Sequence, residues 1–287
     1  MQRLRQDERV PATARTAQAG PAAIPILLYH AISDEPPPWL RHWTVAPQAF
    51  AAHLDAAAEA GCTPLTVSGL VDALDAGTLP ARPVVVTFDD GYADFLAEAV
   101  PALVARDVPA TLYVTTGALV GAPRPAATRH EGAAMLRFAD LARLEGLGIE
   151  VGPHTHTHPQ LDAVSRARAA AEIALSKELV EDALGHRVRT FAYPHGYSDR
   201  AVRLLVEQAG FHAACGVREA LSSAGDDRFN LARLTVHDDT PLDAVRAWLT
   251  GRGARLAPRR DPWRTRAWRW YRRAQASARR PGERAAR

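Results

Sequence analysis

The sequence has little that would staple or anchor a fold. Of 287 residues only two are cysteine, Cys62 and Cys215. That is too few for a disulfide framework or a Cys-rich zinc site, so each reads as a small buried apolar residue. Lys177 is the sole lysine. No apolar run reaches the roughly 18 residues of a membrane-spanning helix. The first 23 residues are polar, with Arg3, Arg5, Arg9 and Arg15 spread through them. The apolar stretch that follows, Ile24–Tyr29, is too short for the core of a secretory signal. The expectation is a cytoplasmic protein with a disordered N-terminal lead over 1–22. What is present, 47% apolar and 23% charged residues, is the composition of a globular domain.

Charge is distributed unevenly. Residues 251–287 carry thirteen Arg against Asp261 and Glu283, and residues 1–22 four Arg against Asp7 and Glu8. With a whole-chain charge of +3, the region 23–250 is left at −10. An acidic catalytic-sized region between basic ends does not suggest a nucleic-acid-binding fold, and nucleic acid is not expected as a partner.

Hydrophobic patterning predicts alternating strands and helices. Ile24–Tyr29, Pro83–Phe88, Ala110–Thr115, Ile149–Gly152, Thr190–Tyr193, His212–Cys215 and Leu231–Val236 read as buried strands. Between them lie helices over Pro47–Ala60, Gly69–Ala76 with Ser68 as N-cap, Asp94–Arg106 interrupted at Pro101, Leu136–Leu147, Ser165–Leu184, Asp199–Gln208 and Pro241–Thr250. Uniformly apolar strands alternating with helices imply a parallel sheet. About seven such units favour an α/β fold of the distorted (β/α)-barrel type over an open sheet. The domains expected are a catalytic barrel over 23–250 and a basic Trp/Arg-rich tail over 251–287.

In such a barrel, chemistry sits where strands end. Polar groups cluster at those places: His30 after the first strand, Asp89-Asp90 after PVVVTF, His154–His158 after IEVG, and Pro194–Gly196 after TFAY. Adjacent carboxylates repel unless a cation or hydrogen bonds compensate them; Asp-Asp-Gly is also good turn chemistry. In His154-Thr155-His156-Thr157-His158, a helical turn would put His154 and His158 on one face, whereas an extended chain would turn all three imidazoles the same way. Either arrangement suits zinc or a similar divalent ion. One of Asp89 and Asp90 would complete a two-His, one-carboxylate site, leaving the other as a base for water.

Thr87-Phe88-Asp89-Asp90-Gly91-Tyr92 followed by His154-Thr-His-Thr-His158 resembles the first two motifs of the polysaccharide deacetylase family (the NodB-homology domain). The similarity runs from Ile24–His30 through Phe191-Ala-Tyr-Pro-His-Gly196 to about Val236, and the Phe-Ala-Tyr-Pro-x-Gly form resembles a poly-N-acetylglucosamine deacetylase-like subgroup. The resemblance implies that Asp90, His154 and His158 hold a divalent metal, Zn2+ first with Co2+ or Ni2+ as substitutes, and that Asp89 is the general base. It implies that Pro194, His195 and Gly196, with His30, line the bound substrate, the backbone N–H of His195 facing the developing oxyanion. His156 falls on a variable position. Ala192 stands where the family usually has an Arg that orients the base; Arg233 is the candidate replacement. No Asp-Trp fourth motif is present, and Leu234-Thr235-Val236-His237 is a weak fifth motif. His237 is therefore the first candidate for the general acid and His30 the second. Tyr92 and Tyr193 are candidates to stack on a sugar face.

The expected activity is removal of N-acetyl groups from an N-acetylated glycan or lipid-linked amino sugar. The alternatives are hydrolysis of a small non-sugar amide on the same barrel, and a catalytically silent glycan- or lipid-binding protein. An amidohydrolase-type site fits less well, because Lys177 lies on a helix and the His cluster is in mid-chain. In the tail, Trp263, Ala267, Trp270 and Ala274 align at helical spacing with Arg around them. That pattern predicts peripheral membrane contact over 262–280 through anionic headgroups. Deleting 262–287 is expected to reduce co-sedimentation with anionic liposomes; equal binding would remove this reading.

Overall fold

Pro83–Phe88 is the strand on which the others are ordered. Its three valines and Thr87 restrict the side chain at Cβ and suit a pleated surface. All six residues are buried, as in a parallel strand covered on both faces. In the computed structural model, which describes residues 23–126, 132–258, 267–268 and 270–273, this strand pairs in parallel with Ile26–Tyr29 on one side and Ala110–Val114 on the other. Ile149–Pro153 continues the ladder beyond Ala110–Val114, and Leu234–Thr235 flanks Ile26–Tyr29. Thr190–Ala192 and Ala213–Cys215 form a second parallel pair, and a bridge from Cys215 to Leu231 leads toward Leu234–Thr235. Seven parallel strands thus follow one another in barrel order. Among the described residues no hydrogen-bonded ladder joins Ile149–Pro153 to Thr190–Ala192. At that seam the strands approach closely at Gly152, where a Cβ would lie 2.9 Å from the Thr190 carbonyl oxygen. The fold is an α/β barrel, distorted and with an open ladder.

Helices cover the outside. Pro47–Glu59 buries Phe50 and Leu54, and Arg166–Leu184 buries Ile173, Leu179 and Val180. The latter starts at Ser165, whose hydroxyl accepts from the Arg168 N–H, and ends at Gly185 in the left-handed region, a common pair of helix boundaries.

Several expected elements differ. Thr66, not Ser68, caps Val67–Ala76: its Oγ1 accepts from Gly69 N at 3.0 Å, while Ser68 donates to Glu150. The helix expected over 94–106 divides into a π-turn, Phe95–Ala99, and an α-helix, Val100–Val104, with Pro101 in its first turn, where a missing N–H costs nothing. Leu136–Leu147 shortens to a 3₁₀ turn, Phe138–Asp140, and Leu141–Glu145, because Gly146 and the left-handed Gly148 end it. The last strand contracts from Leu231–Val236 to Leu234–Thr235. Thr63–Leu65, not expected, pairs with Pro83–Val85.

The packed unit also extends past residue 250. Leu221 exchanges backbone hydrogen bonds with Arg255 and Ala257, and residues 272–273 dock on the barrel. The expected boundary at 250 is thus too early. The lead over 1–22 and most of the tail lie outside the described residues. No helix among the described residues is long and apolar enough to cross a membrane.

Candidate active site

Each strand end delivers a side chain to the same rim. Asp89 N donates to the Tyr29 carbonyl at 3.0 Å and His154 N to the Val114 carbonyl at 2.8 Å. Both residues therefore continue their ladders by one position before the chain turns. Asp90 then takes a left-handed φ of 75° and Gly91 one of 90°. Asp-Asp-Gly is thus a turn, and the turn itself presents the two carboxylates. Thr155, His158 and His195 also have positive φ, at 67°, 58° and 58°. Non-glycine residues occupy that region at a cost of about 1–3 kcal/mol each, and here four of them gather around one rim.

The His cluster follows neither simple expectation. It is an irregular loop in which His154 and His158 meet with Nε2 atoms 3.2 Å apart. His156 turns away, its Nδ1 3.0 Å from Thr116 Oγ1. The loop is held by Glu172 of the Arg166–Leu184 helix, whose carboxylate accepts from the N–H groups of His156 and Thr157 at 3.0 and 2.8 Å and from the Thr157 hydroxyl at 2.5 Å. Asp90 Oδ1 lies 3.3 Å from His158 Nε2 and 3.7 Å from His154 Nε2. One ligand atom from each of the three residues fits within 4.8 Å.

This donor set fits a divalent ion. His154 Nδ1 is 2.8 Å from the Ala192 carbonyl oxygen, which can only accept. The proton of a neutral ring is therefore on Nδ1, and the Nε2 lone pair faces Asp90 and His158. Pinning the distant nitrogen in this way is how ligating imidazoles are oriented. A second grouping, His42, Asp238 and Asp239, is exposed and offers no such burial.

Asp89 is the other carboxylate, and its environment is different. Arg233, fully buried, binds it through two parallel hydrogen bonds of 2.7 Å each. Arg233 also donates to the Gly216 carbonyl and Thr87 Oγ1 at 2.9 and 3.3 Å. Burial pushes the Asp89 carboxyl up, but the charges of Arg233 and His154 pull it below its ordinary value. The guanidinium, in turn, is raised. So Asp89 stays ionised, is oriented, and lies 3.7 Å from His154 Nε2. Arg233, which directly precedes the Leu234–Thr235 strand, reaches Asp89 from 144 residues away in sequence.

These groups open on a cavity of about 560 Å³ whose wall includes His30, Trp39, Trp43, Tyr92, His195 and His237. The imidazole of His30 is held below its ordinary pKa by burial, opposed by Asp90 and Asp89, which suits a neutral wall residue better than an acid. His237 Nδ1 is 3.2 Å from the His42 carbonyl, and its ring stacks on His42 with centroids 4.2 Å apart. That fixes the proton on Nδ1 and leaves Nε2 for the cavity. Tyr92 lines the cavity and its hydroxyl is hydrogen-bonded to Asp90.

Three expected substrate contacts are corrected. Tyr193 is fully buried and its hydroxyl donates to the Phe229 carbonyl at 2.9 Å, so it is a core residue. Pro194 is buried behind the rim. Gly196, at φ 69°, permits a close approach: a Cβ there would lie 2.3 Å from Val217 N. Of that segment only His195 reaches the cavity.

Sequence reasoning did not single out Trp39, Trp43, Tyr197 or Glu219 as wall residues, nor Glu172 as the strap. The pair Trp39 and Trp43, four apart beside Pro36–Pro38, was the available signal. Nothing local distinguishes Glu172 from the other charges on its helix.

Residues 76–214 match the polysaccharide deacetylase family. That match spans a little under half of the chain, a segment similar to a polysaccharide deacetylase domain. Over 230 residues the Bacillus subtilis protein YxkH is 25% identical, with 80% of this chain and 77% of YxkH aligned. Among solved structures, the Streptococcus pyogenes deacetylase PplD, in complex with acetate, is 27% identical; the similarity covers 78% of this chain and 96% of PplD with a TM-score of 0.68. IcaB from Ammonifex degensii, at 24% identity, shares the fold over 79% of this chain and 97% of its own with a TM-score of 0.65. The matched segment contains Asp89, Asp90, His154 and His158 together with Glu172.

Proposed function

We propose that this chain is a metal-dependent hydrolase that removes N-acetyl groups from an N-acetylated glycan. The observation that carries this reading is the pairing of two unlike carboxylates. Asp90 faces two imidazoles, while Asp89 is kept anionic by a buried arginine 2.7 Å away. Asp90, His154 and His158 would hold the ion, Zn2+ by its imidazole-rich donor set. When bound, the ion supplies Lewis acidity that polarises an acyl oxygen and acidifies water.

The protein's own groups do the rest. Asp89 accepts the proton of the attacking water, with Arg233 fixing which way its oxygens point. The His195 N–H contributes a fixed donor toward the developing negative charge, which costs no reorganisation. His237, whose Nδ1–H is held by the His42 carbonyl, would act as the acid in its doubly protonated form, giving the Nε2 proton to the departing amine. Trp39, Trp43 and Tyr197 give the cavity flat apolar faces suited to sugar rings.

Incubation with chitooligosaccharides and Zn2+ is expected to release acetate. Chelation should stop the release and added Zn2+ restore it. Zinc and sugar binding without acetate would select the silent binding protein instead. Acetate from simple N-acetyl amides but not from the oligosaccharides would select the small-amide hydrolase.

A further inference from the structure

The C-terminal segment reaches back to the wall of the cavity. The Arg272 guanidinium, nearly buried, makes two hydrogen bonds to Asp162, of 3.0 and 2.8 Å, and one of 3.3 Å to Gln160 Oε1. The Asp162 side chain is only 1% exposed, so this pair is inside the protein rather than on its surface. The same guanidinium lies 3.5 Å from the centroid of the Tyr197 ring, a favourable cation–π distance. Arg273 donates to the Asp162 carbonyl at 2.7 Å and pairs with Asp199, the N-cap of Arg200–Gln208.

These contacts join two loops that are otherwise remote in sequence. Gln160 and Asp162 lie two and four residues after His158. Tyr197 follows His195, and both Tyr197 and His195 line the cavity. The rings continue the connection inward: Tyr197 to His195 at 5.7 Å, and His195 to His158 at 4.6 Å between centroids. The attachment is polar, not an apolar helix face, since Trp268, Trp270 and Tyr271 on the same segment are 51%, 73% and 45% exposed.

We propose that Arg272 is a positioning residue for the catalytic cavity. It cross-links the loop after His158 to the His195–Tyr197 wall, so that the C-terminal segment sets the shape of the substrate subsite. The kinetic part of the proposal rests on the deacetylase reading; the loop-ordering part does not.

The test uses the full chain with Arg272→Ala, Arg272→Lys and Asp162→Asn. Arg272→Ala should raise KM for chitooligosaccharides about tenfold with kcat within about threefold, the pattern of lost binding geometry rather than lost chemistry. Amide hydrogen exchange should quicken at 159–164 and at 195–199 together. Arg272→Lys should not rescue KM, because an ammonium cannot make the planar two-bond contact and the ring stack at once. Asp162→Asn should reproduce the KM rise, and it supplies the result if Arg272→Ala does not fold. An unchanged KM in either variant, or faster exchange confined to 267–273, would overturn the proposal. Should the wild-type chain release no acetate, the exchange measurement still decides whether the two loops are coupled through Arg272.

Discussion

Replacing Asp89 by Asn is expected to lower kcat by roughly a hundred- to ten-thousand-fold while Zn2+ affinity stays close to that of the wild type. The two halves of this result have separate causes. Asp89 is not among the three residues whose ligand atoms converge; those are Asp90, His154 and His158. Its oxygens are instead directed at Arg233. An amide keeps the shape and one acceptor, but it has no basic oxygen to take a proton. Acetate release in a single turnover, together with zinc titration by calorimetry, separates the outcomes. Activity within tenfold of wild type would show that Asp89 is not the base. Loss of zinc binding would make it a ligand.

The second large effect concerns Arg233. Changing it to Met leaves a carboxylate that is 3% exposed without its countercharge. Breaking a buried pair from one side typically costs about 3–5 kcal/mol, and urea denaturation of metal-free protein should find a loss of that size. The Asp89→Asn/Arg233→Met double variant should recover a substantial part of it, because the uncompensated charge is removed together with its partner. Its turnover should remain as low as that of Asp89→Asn alone. A loss under about 1 kcal/mol in Arg233→Met would mean that the pair is not desolvated as the geometry indicates. A double variant no more stable than Arg233→Met would mean that the arginine acts mainly through Gly216 and Thr87.

What the sequence conveys about this molecule is mostly local. PVVVTF, with its β-branched run, could only be a buried strand, and Asp89-Asp90 directly after it had to lie at the strand end. The same reasoning put His154 and His158 on the rim after IEVG. Contacts that depend on the wrap of the barrel were less legible. Arg233 and Asp89 are 144 residues apart, and the missing arginine at Ala192 pointed to Arg233 only as a candidate. The Ala192 backbone orients His154 instead, a role that no side-chain pattern reveals. Tyr193 was misread for a simple reason. It follows a short strand toward the site, yet its ring enters the core and its hydroxyl finds the Phe229 carbonyl. The left-handed turns at Asp90, Thr155 and His158 could not be foreseen either, because short polar residues tolerate that region without announcing it. Those turns, not helical or strand periodicity, bring the two imidazoles together.

The claim on which the rest depends is that Asp90, His154 and His158 form one metal site beside a base that does not ligate. Anomalous diffraction at the zinc edge, from zinc-soaked crystals of the wild-type protein and of His154→Ala, tests it most directly. The account predicts a single strong peak in the wild type, in contact with Asp90, His154 and His158 and not with Asp89, and no peak there in His154→Ala. Zinc found only at His42, Asp238 and Asp239, or coordinated by Asp89 in place of Asp90, would contradict it.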